Sequence, residues 1–197
     1  MSEYRFTIDR TNLEGKQGIL RPDSDGYFND VLVGVFNVEN AAGERYLFDN
    51  EIMQMLDAGL ERSQMAKWLK QGKLIGEQEH PHIQDFITKD RNFELAKSLW
   101  VRRNAELRVD NQAFQVAGFE QREMPDRVDG RRVYGVYTKI RPTVDALNAS
   151  LMDENANTAF SLRSYIKRMI KGSELVRKCT NIFTYDWVTL NGIAQAE

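Results

Sequence analysis

Between Asp49 and Gly72 the apolar residues change period, and that change most constrains the fold. Ile52, Met55, Leu56, Leu60, Met65, Trp68 and Leu69 recur at steps of three and four, the spacing of one helix face. Asp49 or Asn50 supplies an N-cap and Gly72 a stop, so the spacing predicts one long helix. On either side the period is nearer two. YRFTID (4–9) alternates, VLVGVFNV (31–38) is β-rich, and ENAAGERYLF reads as a turn leading to a second short strand. KLIGEQEHPHIQDF reads as a short strand running into a Pro-containing loop. AELRVDN, QAFQVAGFEQRE and RRVYGVYTKI alternate again, with turn signals at Asp110-Asn111 and Asp129-Gly130. Residues 90–101 fit a helix or the start of a strand, and TVDALNASLM fits a short helix. AFSLRSYIKRMI fits a strand or a helix, and CTNIFTYDWVTL is β-rich. Strands, a long helix, strands, a helix and strands again predict an α+β class, an antiparallel sheet or barrel decorated by helices.

The 197 residues suit a single domain, 1–197, and an apolar content of 42% is enough to bury a core. The polar, Gly-containing stretch Thr11–Gly26 makes residues 1–28 read as a flexible arm. Charges nearly cancel, 27 Lys and Arg against 29 Asp and Glu, which argues against a strongly basic nucleic-acid binder. No apolar run approaches the roughly 18–20 residues that span a bilayer, and MSEYRFTIDR lacks an apolar signal core. The single cysteine, Cys179, leaves no intrachain disulfide and suits a reducing compartment.

Chemistry is limited by two histidines, His80 and His82. A Ser or Cys nucleophile near neutral pH needs an adjacent base, usually an imidazole held by a third group, so any such site is anchored at EQEHPHI. Two idle surface-loop histidines are the commoner use of such residues, and Cys179 reads better as filler than as a nucleophile. A metal could use His80 and His82 with Glu77, Glu79 or Asp85, but there is no HExxH and no second Cys/His cluster. No phosphate-binding glycine motif is present. Lys167, Arg168, Lys171, Arg177 and Lys178 form a basic patch that reads as a solvated face or a site for acidic peptide.

Four segments together resemble the procapsid (prohead core) maturation proteases of large tailed phages, the T-even-like and giant-phage group, which are related to the herpesvirus assemblins. RYLFDNEIMQML through KLIGEQEHP resembles the helix and Gly-Glu-x-x-His-Pro of that family, which puts His80 on its catalytic histidine. VYGVYTKI (133–140) resembles its Val-Tyr-Gly strand. AFSLRS resembles its nucleophile segment, placing Ser161 on the serine and Arg163 on the arginine two residues later, and IFTYDWVTL places Asp186 on its aspartate. The chain departs at Glu79, where the family has Asn, and at Leu162 and Ser164, where it has small residues. Residues 85–130 are longer and more polar than the family leads one to expect, and read as an insertion or variable region.

The resemblance implies a small antiparallel β-barrel surrounded by helices, with no cofactor and no metal. It implies a serine endopeptidase using His80, Ser161 and Asp186, with Glu77 and Glu79 as alternatives for the third member and Arg163 stabilising the oxyanion. Substrates would be scaffold (internal core) and major capsid precursor proteins, cut after Glu. Neither nucleic acid nor membrane is expected as a partner. Lys167 and Arg168 are candidates to receive the substrate carboxylate. The enzyme would be made in the host cytoplasm, assemble as a homo-oligomer inside the procapsid, and carry its arm as an activation segment. The rival is a non-enzymatic phage structural protein, a tail-tube or capsid component, on a related fold.

Overall fold

The computed structural model describes residues 5–6, 9–10, 20–39, 44–88, 92–153, 156 and 158–188. Most of the arm Thr11–Gly26 and the tail Ala194–Glu197 therefore lie outside the described residues. In chain order the elements are β1 (Arg5–Phe6), β2 (Asp9–Arg10), β3 (Phe28–Phe36), β4 (Arg45–Tyr46), α1 (Asn50–Met55) and α2 (Gln64–Lys70). There follow β5 (Ile75–Glu77), α3 (Phe93–Asn104), β6 (Gln112–Val128), β7 (Arg131–Pro142), α4 (Asp145–Met152), β8 (Ala159–Lys171) and β9 (Glu174–Val188).

The class is α+β, with the strands in two sheets. One runs β1-β8-β9-β4, with β2 also on β8, and the other runs β3-β7-β6-β5. All pairings are antiparallel except β4 with β9. The expected closed barrel is not formed by the described strands. The two sheets instead meet at a corner where Gln78 bridges Trp187 in parallel and the Glu79 N–H donates to the Trp187 carbonyl at 2.8 Å. Phe114 of β6 packs edge-on against Phe160 of β8, with centroids 5.6 Å apart, which ties the sheets through one apolar core.

Local chemistry explains the turns. The β6–β7 hairpin closes on Asp129 and Gly130, both at positive φ, as the Asp-Gly signal predicts. The long helix predicted over 49–72 is instead two helices. Asp49 caps α1 by accepting from the N–H groups of Glu51 and Ile52. The Asp57 carboxylate then accepts from the Gly59 N–H and turns the chain. Ser63 uses one hydroxyl at both ends of the break. It donates to the Met55 carbonyl at 2.7 Å and caps α2 by accepting from the Ala66 N–H at 3.1 Å. Side-chain hydrogen bonds, to which apolar periodicity is blind, divide the helix.

Within the ambiguous 90–101 stretch, residues 93–101 belong to α3, capped by Asn92, whose side chain accepts from the Leu95 N–H. The segment 159–170 is strand. Along its first half every residue is buried, and the facing half of β9 is likewise buried on both sides. Phe160 faces Trp187 and Leu162 faces Tyr185 on one side of this ribbon. Ser161 faces Asp186 and Arg163 faces Thr184 on the other.

Candidate active site

β5 must come close to the β8–β9 ribbon, and Gly76 permits it. A Cβ there would lie 2.0 Å from Phe114 Cζ and 2.5 Å from the Tyr185 carbonyl oxygen. Thr184 Oγ1 donates to the Ile75 carbonyl at 2.6 Å, and the Glu77 N–H donates to Asp186 Oδ1 at 2.9 Å. Beyond β5 the chain turns at Glu79, whose φ of 60° is in the left-handed region. Asn tolerates that conformation better than Glu does, so Glu79 is held there by its surroundings.

The turn delivers His80. Its Nδ1 lies 2.7 Å from Asp186 Oδ2, with both side chains buried. A carboxylate can only accept, so Nδ1 carries the proton and Nε2 is the basic nitrogen. Nε2 is buried and makes no hydrogen bond among the described residues. Ser161 is the direct cross-strand partner of Asp186, fully buried. Residues so paired carry their Cβ atoms on one face, about 4.5–5.5 Å apart.

Arg163 lies on the same face. Its Nε donates to Asp186 Oδ2 at 2.8 Å, with Nη2 2.7 Å from the same oxygen. Its Nη1 donates to Glu77 Oε1 at 3.1 Å and to the Glu106 carbonyl at 2.9 Å. Glu77 also pairs with Arg103 of α3, and accepts from the Arg108 N–H at 2.9 Å and from Asn111 Nδ2 at 3.3 Å. Two carboxylates thus face two guanidiniums behind the imidazole.

Burial alone would raise the Asp186 carboxyl, but the Arg163 charge and the N–H groups of His80 and Glu77 hold it below its ordinary value. Glu77 is likewise lowered against burial, by its Arg103 hydrogen bond and the Arg163 charge, although the Asp186 charge opposes this. Burial would lower Arg163, but the carboxylates of Asp186 and Glu77 raise it. Both carboxyls bind protons less readily folded than unfolded, so their contribution to stability is present above their ordinary values, 3.8 and 4.5, and is lost as pH falls through the lower folded values. Melting temperature measured from pH 7 to pH 3 is expected to hold steady to about pH 4.5 and then fall. A constant value from pH 5 to pH 3 would contradict this.

Other candidates lie apart. His82 is exposed, its N–H bonded to Asp85 Oδ2 at 2.9 Å. No three His, Cys, Asp or Glu side chains converge for a metal ion among the described residues. Cys179 is buried in the core, its Sγ 3.7 Å from Ser164 Oγ. Lys167 and Arg168 are six and seven residues along β8 from Ser161, roughly 20 Å at strand rise, and Arg168 pairs with Glu44 at 3.0 Å. The structure does not bring them to Ser161. Sequence reasoning missed Arg103 and Asn111. An Arg in the last turn of a helix reads as a solvated residue favoured by the helix dipole, and nothing local marks it as buried.

A buried carboxylate and a hydroxyl on one strand pair, with an imidazole brought to the carboxylate by the turn after β5, are the residue types of an acid–base and nucleophile hydrolase site. The chain belongs to the peptidase S80 family, whose pattern matches residues 6–197, and this is the phage prohead protease family to which the four sequence segments pointed. No curated protein matches the sequence. In fold the chain is similar to the solved structure of the bacteriophage T4 capsid assembly protease, with a TM-score of 0.52 and 13% sequence identity, covering 95% of this chain and 99% of that one.

Proposed function

We propose that the protein is a serine endopeptidase of procapsid maturation. The observation that carries the reading is His80 Nδ1 on Asp186 Oδ2 with Ser161 directly opposite Asp186, in a chain of a peptidase family. Ser161 attacks the peptide carbonyl, and His80 Nε2 takes its proton and returns it to the leaving amine. Asp186 fixes the ring tautomer and stabilises the imidazolium. Arg163 favours the oxyanion as a fixed positive charge near Ser161, while its own donors are committed to Asp186, Glu77 and the Glu106 carbonyl.

The similar T4 structure is that of a capsid assembly protease. It supports scaffold and capsid precursors as substrates and the procapsid as the place of action; assembly as a homo-oligomer is a further part of the proposal. Cleavage after Glu is part of the same proposal. The arm is read as an activation segment, and its short strands support this. Arg10 of β2 pairs with Ser161, and Asp9 with Leu162, on the outer edge of β8, which an extended substrate would need for strand addition.

One experiment tests these points together. Full-length wild type and Ser161→Ala are incubated with matched peptides carrying Glu or Gln before the scissile bond. Wild type is expected to prefer Glu by roughly 5- to 150-fold in kcat/KM. Intact mass is expected to show a trimmed terminus that Ser161→Ala retains. Equal rates would remove the Glu preference, and identical termini would remove the activation segment.

A further inference from the structure

We propose that α3 is a brace for the His80 loop, with Trp100 and Arg103 as positioning residues; this rests on the serine-protease reading above. Trp100 and Arg103 are three residues apart and so share a helix face, which also carries the buried Ala96. Trp100 Nε1 donates to the Pro81 carbonyl at 2.7 Å, and Arg103 grips Glu77 with both terminal nitrogens. One contact falls immediately after His80 and the other three residues before it. The three residues between them, Gln78, Glu79 and His80, include the left-handed Glu79. A non-glycine residue in that region is strained and persists only where its surroundings impose it, so an unbraced loop would tend to relax and carry the imidazole with it.

The brace is itself held. Asn104 Nδ2 donates to the Trp100 carbonyl at 2.8 Å, and Arg103 Nη1 also donates to the Glu106 carbonyl at 3.1 Å, the same oxygen that Arg163 uses. Arg103 therefore acts on Asp186 at second hand, by fixing Glu77 and, through it, Arg163. Trp100 acts on His80 through the backbone of Pro81, whose ring limits the φ freedom that could absorb a shift. A misplacement near 1 Å at a catalytic group costs on the order of 100-fold in rate, so small slack in this loop has a large consequence.

The test uses full-length Trp100→Phe, which keeps the ring and loses the donor, and Arg103→Met. Arg103→Lys, which keeps the charge, is the rescue, and Leu95→Ala on the exposed side of α3 is the control. Two readouts are taken: peptide-cleavage kinetics, and the 15N-histidine NMR signal of the His80 Nδ1–H, assigned by its loss in His80→Ala. Trp100→Phe and Arg103→Met are expected to lower kcat roughly 10- to 100-fold with KM nearly unchanged. The same variants should broaden the His80 signal and speed its exchange with solvent, with Arg103→Lys recovering part of both. A wild-type His80 signal in both variants overturns the brace, whatever the rate does. Failure of the protease reading is separate, because it would appear as undiminished cleavage by Ser161→Ala, while the NMR signal tests the brace without reference to catalysis.

Discussion

Ser161→Ala and His80→Ala are each expected to abolish peptide cleavage, by about 1,000-fold or more in kcat, without unfolding the protein. In the proposed mechanism the two groups act as a unit, so the double variant should be little worse than either single one. The serine hydroxyl is useful only if Nε2 can take its proton, and Nε2 is the basic nitrogen because Asp186 holds the proton on Nδ1 at 2.7 Å. Asp186→Asn should cost less than loss of Ser161, because the proposed role of Asp186 is to orient the ring rather than to react. His82→Ala should retain most activity, since His82 is exposed and outside the buried cluster. Wild-type cleavage by Ser161→Ala would remove the nucleophile assignment.

The largest effect on stability is expected at Arg163. Its side chain is almost wholly buried and serves both Asp186 and Glu77. Arg163→Met keeps much of the length and removes the charge, leaving the buried Asp186 without a guanidinium and Glu77 with Arg103 alone. Breaking a buried ion pair from one side costs about 3–5 kcal/mol, because the remaining charge is left without compensation. For a domain of this size that is a loss of roughly 6–20 °C in melting temperature. Adding Glu77→Gln to Arg163→Met removes one of the stranded charges, so the double variant should lose less than the sum of the single losses. A melting temperature within about 2 °C of wild type for Arg163→Met would show that the cluster does not couple as described.

Which parts of this site could be read from sequence follows from the range of each signal. Alternation in AFSLRS and in TYDW is local, and with both runs paired it places Ser161, Arg163 and Asp186 on one face opposite Phe160, Leu162 and Trp187. The Asp-Gly turn and the Asp49 cap are equally local, and both stand. The break in the predicted long helix was hidden because Asp57 and Ser63 act through hydrogen bonds and not through apolar period. Sequence left Asp186, Glu77 and Glu79 open as the third member. The structure puts the Asp186 carboxylate on the imidazole and commits that of Glu77 to Arg103 and Arg163. That division depends on β5 meeting β9 more than a hundred residues away, at a corner no local pattern announces. The order of elements left sheet or barrel open and the resemblance chose the barrel, but the described strands form two sheets joined at that corner.

The most direct measurement is covalent labelling of the full-length protein, active on peptide, with a small fluorophosphonate, followed by intact mass and peptide mapping. Such a reagent marks a serine whose hydroxyl is activated by a neighbouring base. One adduct on Ser161, lost in His80→Ala and kept in His82→Ala, is the predicted result. No adduct on Ser161, or one that forms equally well in His80→Ala, would contradict the assignment of Ser161 as a nucleophile activated by the His80–Asp186 pair.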